Sequence, residues 1–82
     1  MEKKVIIYTS EGCSYCSKVI EILQENNVSF EEKNISNNGL HFKEWKKKDV
    51  MGTPATFFDN NTVVMGLDKN NLLRAIEDFK SK

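Results

Sequence analysis

The first third of the chain passes from a strand-like to a helix-like pattern of apolar residues. After Lys4, the run Val5-Ile6-Ile7-Tyr8 is continuously apolar and rich in β-branched residues, which predicts a central strand over Lys4 to Tyr8. A helix is predicted from about Ser14 to Asn26, with Asn26-Asn27 as its stop. Its inward face carries apolar residues at helical spacing: Cys16, Val19, Ile20 and Leu23.

A second strand is predicted over Phe30 to Ile35. The charged side chains of Glu31, Glu32 and Lys33 make it more polar than the first strand, which favours an exposed sheet edge. A strand, a helix and a strand of these lengths form a right-handed βαβ unit with parallel strands.

A turn cluster at Ser36 to Gly39 leads into a short helix predicted from Leu40 to Lys48. Phe42 and Trp45 are three residues apart on this helix, so we expect both to face inward. The run Lys46-Lys47-Lys48 is interpreted as a solvated helix end, placed favourably at the negative end of the helix dipole.

The last part of the chain predicts a hairpin. Ala55 to Phe58 and Thr62 to Val64 have strand-like composition, and Asp59-Asn60-Asn61 between them is typical of a tight turn. A connection this short makes the third and fourth strands antiparallel.

Asp68 is a good N-cap for a final helix from about Lys69 to Lys80. The buried stripe predicted for this helix is Leu72, Leu73, Ile76 and Phe79. The predicted order of elements is therefore βαβ-α-ββα.

The candidate chemistry is a C-x-x-C motif at the junction of the first strand and the first helix. Cys13 would lie at the helix N-terminus, where unpaired N–H groups and the helix dipole stabilise a thiolate. Cys16 lies about one turn deeper, close enough to form a disulfide with Cys13. We interpret the pair as a redox site.

Two other interpretations of the cysteine pair stay open. Half of a zinc site would need further ligands from carboxylates or a second chain, because His41 is the only histidine and no other cysteine exists. A passive crosslink would close a very small loop and stabilise little.

Composition narrows the function classes. The 82 residues include 12 Lys and Arg and 12 Asp and Glu, so the formal net charge is zero and no nucleic-acid footprint is indicated. The length predicts one domain over residues 1–82. We expect no signal peptide and no membrane span. Two cysteines in one motif suit a reducing compartment, and the cytoplasm is the expected location.

Three motifs follow one another along the chain: Gly12-Cys13-Ser14-Tyr15-Cys16 after the first strand, Thr53-Pro54 before the third, and Gly66-Leu67-Asp68 before the last helix. In this order and spacing the chain resembles the thioredoxin fold, and more narrowly its glutaredoxin-like branch. The resemblance implies an α/β fold with a central four-stranded mixed sheet flanked by helices. It also implies a thiol–disulfide oxidoreductase without a tightly bound cofactor.

The resemblance implies roles for the matching cysteine-loop residues. Cys13 matches the exposed nucleophile and Cys16 the buried resolving cysteine, while Tyr15 matches the aromatic residue beside the active-site groove. Thr53 matches the residue whose backbone pairs with the bound thiol substrate, and Pro54 matches the cis-proline of that loop.

In the same way, Gly66, Leu67 and Asp68 match the turn and helix start that receive the γ-glutamyl end of glutathione. Capping alone is the alternative role for Asp68.

Three departures from the family pattern weaken the expected contacts with glutathione. Ser10 replaces a usual lysine and is followed by Glu11, Met51-Gly52 replaces a polar anchor before Thr53, and Met65 and Lys69 flank the last motif. Only His41, Lys47 and Lys48 are candidates to compensate. Charge-assisted hydrogen bonds of this kind contribute about 1.5–3 kcal/mol each, so we expect glutathione to be a weak co-substrate.

The expected partners are disulfide-containing proteins or low-molecular-weight disulfides, with glutathione or a thioredoxin reductase as reductant. A chain reduced by a thioredoxin reductase would be similar to the redoxins that donate electrons to ribonucleotide reductase. We expect a monomer. The alternative function is an iron–sulfur cluster-binding module, because Ser14 occupies a position where many glutaredoxins carry proline. Ser14 as a simple helix-start residue is the favoured interpretation.

Overall fold

The computed structural model describes residues 4–48, 50, 52–58 and 62–81. Every predicted strand and helix is present in these residues, with bounds within one residue of the prediction. In chain order the elements are β1 (Val5–Thr9), α1 (Ser14–Glu25), β2 (Phe30–Asn34), α2 (Gly39–Lys47), β3 (Ala55–Phe57), β4 (Val63–Met65) and α3 (Lys69–Ser81).

The four strands form one mixed sheet in the order β2-β1-β3-β4. β1 pairs in parallel with β2 and antiparallel with β3, and β4 is antiparallel to β3. The central position of β1, the edge position of β2 and the antiparallel hairpin are therefore confirmed. The predicted turn at residues 59–61 lies outside the described residues.

Helix ends follow local side-chain chemistry. The Asn38 side chain accepts hydrogen bonds from the backbone N–H groups of Leu40 and His41 and so begins α2. Asn26 is the C-cap of α1, and Asn27 has a φ of 57°. This left-handed conformation is one that Asn tolerates and that commonly ends a helix, so the predicted stop is confirmed.

The hydrophobic core lies on the sheet face covered by α1 and α3. Its fully buried side chains, at 0% exposure, are Val5, Ile7, Val19, Leu23 and Leu72. The aromatic rings of Phe58 and Phe79 extend this core with an edge-on contact at 6.1 Å between centroids.

The prediction of a buried Leu73 is wrong. Leu73 is 37% exposed, whereas Ala75 is 7% exposed and joins the core. Leu72 and Ile76 set the direction of the buried stripe on α3. With Leu72 at the centre of the stripe, Ala75, Ile76 and Phe79 lie within about 60° of it around the helix axis, whereas Leu73 is rotated by about 100° and lies outside.

The opposite face of the sheet carries α2, which has no buried residue among those described. Phe42 and Trp45, predicted to face inward, are only half-buried, and their ring centroids lie 5.7 Å apart. Polar contacts attach the helix instead. Glu44 Oε1 accepts hydrogen bonds from Lys33 Nζ at 2.8 Å and from the Tyr8 hydroxyl at 3.3 Å.

The surroundings of Glu44 and Tyr8 shift the pKa values of both side chains. The hydrogen bond from the Lys33 ammonium holds the pKa of Glu44 below its ordinary value. Burial of Tyr8 raises the pKa of its phenol.

Because the pKa of Glu44 is lowered by folding, its contribution to stability is present above its ordinary pKa of 4.5 and is lost as the pH falls through the lower folded value. We therefore expect Glu44→Gln to lower the urea midpoint at pH 7, with the difference from the parent disappearing in acid. Urea unfolding across pH 3 to 7 measures this. Glu21→Gln on the exposed side of α1 is the matched control. A deficit of the same size at every pH would contradict the role assigned to the Glu44 charge.

Candidate active site at the first strand–helix junction

Cys13 lies at the point where the chain leaves β1 and begins α1. Gly12 before it has a φ of 76°, a conformation that favours glycine, and Cys13 is the N-cap of the helix in extended conformation. The backbone N–H of Cys16 donates to Cys13 Sγ at 3.2 Å. In the reduced protein this donor and the positive end of the helix dipole would stabilise a Cys13 thiolate.

The two cysteines differ in accessibility and form a disulfide with each other. Cys16 is 4% exposed, whereas Cys13 is only half-buried. Cys13 is therefore the more accessible of the two cysteines, and Cys16 lies further inside the protein. Tyr15, one position before Cys16, is 56% exposed beside the pair.

The loop that leads into Cys13 is attached to the β2 side of the molecule. The buried Thr9 hydroxyl donates to Glu32 Oε2 at 2.8 Å. The Glu11 backbone N–H donates to Ser36 Oγ at 3.0 Å, and the Ile35 N–H donates to the Thr9 carbonyl at 2.8 Å. These bonds fix the backbone that carries the cysteine pair.

An open depression of about 480 Å³ lies between this loop, α1 and β2, and both cysteines line it. Glu32 is the only charged residue among its described lining residues.

The loop before β3 lies on the other side of the cysteine loop, because Tyr8 pairs with Ala55 in the sheet. The Thr53–Pro54 peptide bond is cis, as the resemblance implies, and Pro54 is buried. Ser10 Oγ and Thr53 Oγ1 are 2.6 Å apart in a hydrogen bond that joins the two loops.

The turn before α3 is attached to the same loop. Gly66, which has a φ of 69°, donates its backbone N–H to the Pro54 carbonyl at 2.8 Å. Asp68 caps α3, since its Oδ1 accepts from the Asn71 backbone N–H at 3.3 Å and its Oδ2 from the Asn71 side-chain amide at 2.7 Å. Leu67 between them is 37% exposed.

The capping geometry of Asp68 gives a direct test of its structural role. We expect Asp68→Ala to destabilise the protein by about 1 kcal/mol, because the first turn of α3 loses its acceptor. Asp68→Asn should keep most of the stability, since an Asn side chain also caps. Urea unfolding of both variants at pH 7 measures this, and equal losses in both would show that charge rather than capping is at work.

The three basic residues expected from the sequence to meet a glutathione carboxylate have different surroundings. Lys48 Nζ lies over the Phe57 ring, 5.3 Å from its centroid. His41 Nδ1 is buried and without a hydrogen-bond partner among the described residues. Lys47 is exposed on α2.

Three contacts at the site escaped the sequence reasoning: Ser10 with Thr53, Thr9 with Glu32, and Trp45 Nε1 with the Gly52 carbonyl at 3.1 Å. Each contact joins residues from different parts of the fold, and no local sequence motif indicates such a contact.

Within the described part of the chain, no group of three or more His, Cys, Asp or Glu side chains is arranged to hold a metal ion. The described helices include none that is long and apolar enough to cross a membrane. Ser14 is the first residue of α1 and is exposed, which agrees with its interpretation as a helix-start residue.

The sequence of the chain is similar to those of a known protein family. The model of the Glutaredoxin family matches residues 5–63 of the chain. Glutaredoxin 1 of Rickettsia conorii is 38% identical over 66 residues, which cover 78% of this chain and 65% of that protein. The global transcriptional regulator Spx 2 of Bacillus anthracis is 29% identical over 82 residues, which cover 88% of this chain and 63% of the regulator. The chain thus spans just under two thirds of the length of these curated relatives.

The structural comparison gives the fold. The crystal structure of the thioredoxin-like protein BC3987 superposes with a TM-score of 0.80 at 29% identity, covering 88% of this chain and 99% of that one. A variant of the same protein gives a TM-score of 0.81. The predicted thioredoxin fold, with its four-stranded mixed sheet, is therefore confirmed.

Proposed function

The chain belongs to the glutaredoxin family, and on that premise we propose that it is a thiol–disulfide oxidoreductase acting through Cys13 and Cys16. One observation carries the proposal. Cys13, the more accessible cysteine, receives the Cys16 N–H at 3.2 Å at the start of α1, while Cys16 lies buried behind it. This arrangement gives one sulfur the environment of a nucleophile and the other the position of a resolving thiol.

The reaction proceeds in two exchanges. The Cys13 thiolate attacks one sulfur of the substrate disulfide, a bond forms between the two sulfurs, and the other substrate sulfur leaves as a thiolate that takes up a proton. The Cys16 thiol then loses its proton and attacks Cys13 Sγ. The Cys13–Cys16 disulfide forms, the second substrate thiolate leaves, and the substrate has gained two electrons.

We place the substrate along the loop before β3. Thr53 is half-buried next to the cysteine loop, and we propose that its backbone pairs with an extended substrate chain while Pro54 shapes the loop. Tyr15 at the start of α1 and Leu67 in the turn before α3 offer exposed apolar surface. The turn at Gly66 and Asp68 would receive the far end of the substrate.

We propose a thioredoxin-reductase system as the better reductant, with glutathione as a weak co-substrate. The Ser10 hydroxyl is bonded to Thr53, and Glu11 beside it carries the wrong charge for a carboxylate. At the other end, both carboxylate oxygens of Asp68 are engaged with Asn71, although the N-terminus of α3 still carries the helix dipole. A monomer in the cytoplasm, where thiols stay reduced, fits this role.

The test compares turnover of a disulfide-linked peptide with NADPH and thioredoxin reductase against turnover with glutathione, NADPH and glutathione reductase. We expect faster turnover in the first system. Absence of turnover in both systems would contradict the proposed activity, and faster turnover with glutathione would contradict the proposed reductant. The iron–sulfur alternative rests on Ser14 alone, and Ser14 begins α1 as a helix-start residue does.

A further inference from the structure

One hydrogen bond connects the loop that carries the nucleophile to the loop proposed to hold the substrate. Ser10 Oγ lies 2.6 Å from Thr53 Oγ1, across 43 positions of sequence, and both residues are half-buried. The distance is at the short end of the usual range for O–H···O bonds. Either hydroxyl fits as the donor, and the bond joins the two side chains without using a backbone group.

The three residues of the substrate loop are attached to three different parts of the molecule. The Gly52 carbonyl accepts from Trp45 Nε1 of α2 at 3.1 Å, and the Pro54 carbonyl accepts from the Gly66 N–H before α3 at 2.8 Å. Thr53 lies between them and is bonded through its side chain to Ser10. The Ser10 bond is therefore the attachment that runs toward Cys13, three residues further along the chain.

We propose that Ser10 is a positioning residue that selects peptide disulfides. By bonding Thr53 it fixes the separation between Cys13 Sγ and the Thr53 backbone, the two points that an extended peptide disulfide must meet at once. A small disulfide without a peptide backbone meets Cys13 alone and gains nothing from Ser10. The inference rests on the proposed function, since it assumes that Cys13 attacks and that the Thr53 backbone binds.

The physical reason is preorganisation. If Thr53 is free to move relative to Cys13, binding of a peptide must order the loop, and that ordering free energy is subtracted from the binding free energy. When the hydrogen bond already holds the loop, the ordering has been completed during folding. The effect appears only for substrates that use both points of contact.

The experiment is a single turnover without any reductant. Reduced protein is mixed with excess disulfide, quenched in acid, and its remaining thiols are counted by mass after alkylation. Two substrates are compared, bis(2-hydroxyethyl) disulfide and a disulfide-linked pair of hexapeptides. The variants are Ser10→Ala, Thr53→Val and the double variant, with Ser10→Thr as the conservative replacement that keeps a hydroxyl. Ser29→Ala, an exposed serine before β2, is the matched control for the chemical change.

We expect Ser10→Ala and Thr53→Val each to slow oxidation by the peptide about fivefold, the size of one net hydrogen bond, and the double variant to be no slower than the slower single variant. Oxidation by the small disulfide should change by less than about twofold in all of them. Ser10→Thr should recover most of the peptide rate, and Ser29→Ala should match the parent.

Two other patterns would overturn the inference. Equal slowing with both disulfides would mean that Ser10 acts on the cysteines or on general stability, which urea midpoints of the same variants would show. An unchanged peptide rate in Ser10→Ala would mean that the bond does not position the substrate. Failure of the proposed function has a separate signature, because the unmodified protein would then be oxidised by neither disulfide.

Discussion

Cys13→Ser is expected to abolish disulfide reduction, by at least about a thousandfold, because a serine hydroxyl does not ionise at neutral pH and is a far weaker nucleophile than a thiolate. The loss should be specific to chemistry. Cys13 is the N-cap of α1, and serine is a good N-cap, so the variant keeps the helix start. Turnover of a disulfide-linked peptide, with circular dichroism as a check of folding, measures the effect.

Cys16→Ser should stop the same reaction half-way. Without the resolving thiol, the first exchange leaves Cys13 joined to the substrate, and intact-mass measurement should show a protein heavier by one substrate half. The Cys13→Ser variant should show no such adduct. Ser17→Ala, an exposed neighbour on α1, is the control and should turn over normally. Full activity of Cys13→Ser would contradict the assignment of the nucleophile, and equal adducts in both variants would contradict the division of roles.

Most of the fold could be predicted because each strand and helix has a local sequence pattern that indicates its type. The apolar run before Tyr8 and the polar strand after Phe30 differ in composition, and their places at the centre and the edge of the sheet follow from that difference. The error at Leu73 has the same local origin. A leucine adjacent to Leu72 fits an apolar stripe by composition, but the buried stripe of α3 is centred on Leu72 and extends to Ala75 and Ile76, and Leu73 lies outside it.

Helix α2 shows what the hydrophobic periodicity of a sequence does not predict. Much of the attachment of this helix is polar: Glu44 meets Lys33 and Tyr8 from two separate strands, and Trp45 Nε1 donates to a backbone carbonyl of the loop before β3. Hydrophobic spacing finds helices that bury an apolar face, and it had pointed to Phe42 and Trp45. A helix attached through an ion pair and a phenol gives no such signal, because the partners are set by the sheet register.

The cysteine pair could be located from sequence because its geometry is contained within a single helical turn. The contact between the Ser10 and Thr53 hydroxyls could not be predicted in this way. Ser10 and Thr53 meet only because β1 and β3 are neighbours and Tyr8 pairs with Ala55, which aligns the ends of two loops. Two ordinary polar residues in loops far apart in the chain carry no mark of their contact until the topology is known.

The second large effect is expected from Glu11→Lys, in the reaction with glutathione. Glu11 is exposed beside the cysteine loop, and its backbone N–H donates to Ser36 Oγ. A lysine at this position replaces the repelling charge with an attracting one for a glutathione carboxylate. We expect glutathione-dependent turnover to rise about tenfold at low ionic strength, the lower end of what a charge-assisted hydrogen bond supplies, and to fall back as salt screens the charge.

Ser10→Lys should help less than Glu11→Lys, first because it adds one positive charge but leaves the negative charge of Glu11 in place. The Ser10 substitution also removes the hydrogen bond to Thr53, so the gain in attraction is offset by a looser substrate loop. Glutathione-coupled assays of both variants, each at low and high salt, separate the two contributions. Glu11→Gln isolates the removal of the negative charge from the addition of a positive one.

Glu25→Lys is the matched charge reversal at the far end of α1, about 18 Å from Cys13 along the helix. It changes the net charge by the same amount and should leave glutathione turnover unchanged. An increase as large as that of Glu11→Lys would assign the effect to overall charge. No increase in Glu11→Lys would show that the glutathione carboxylate does not lie beside this loop. In that case the charge added by Ser10→Lys would bring no gain to offset the lost hydrogen bond to Thr53.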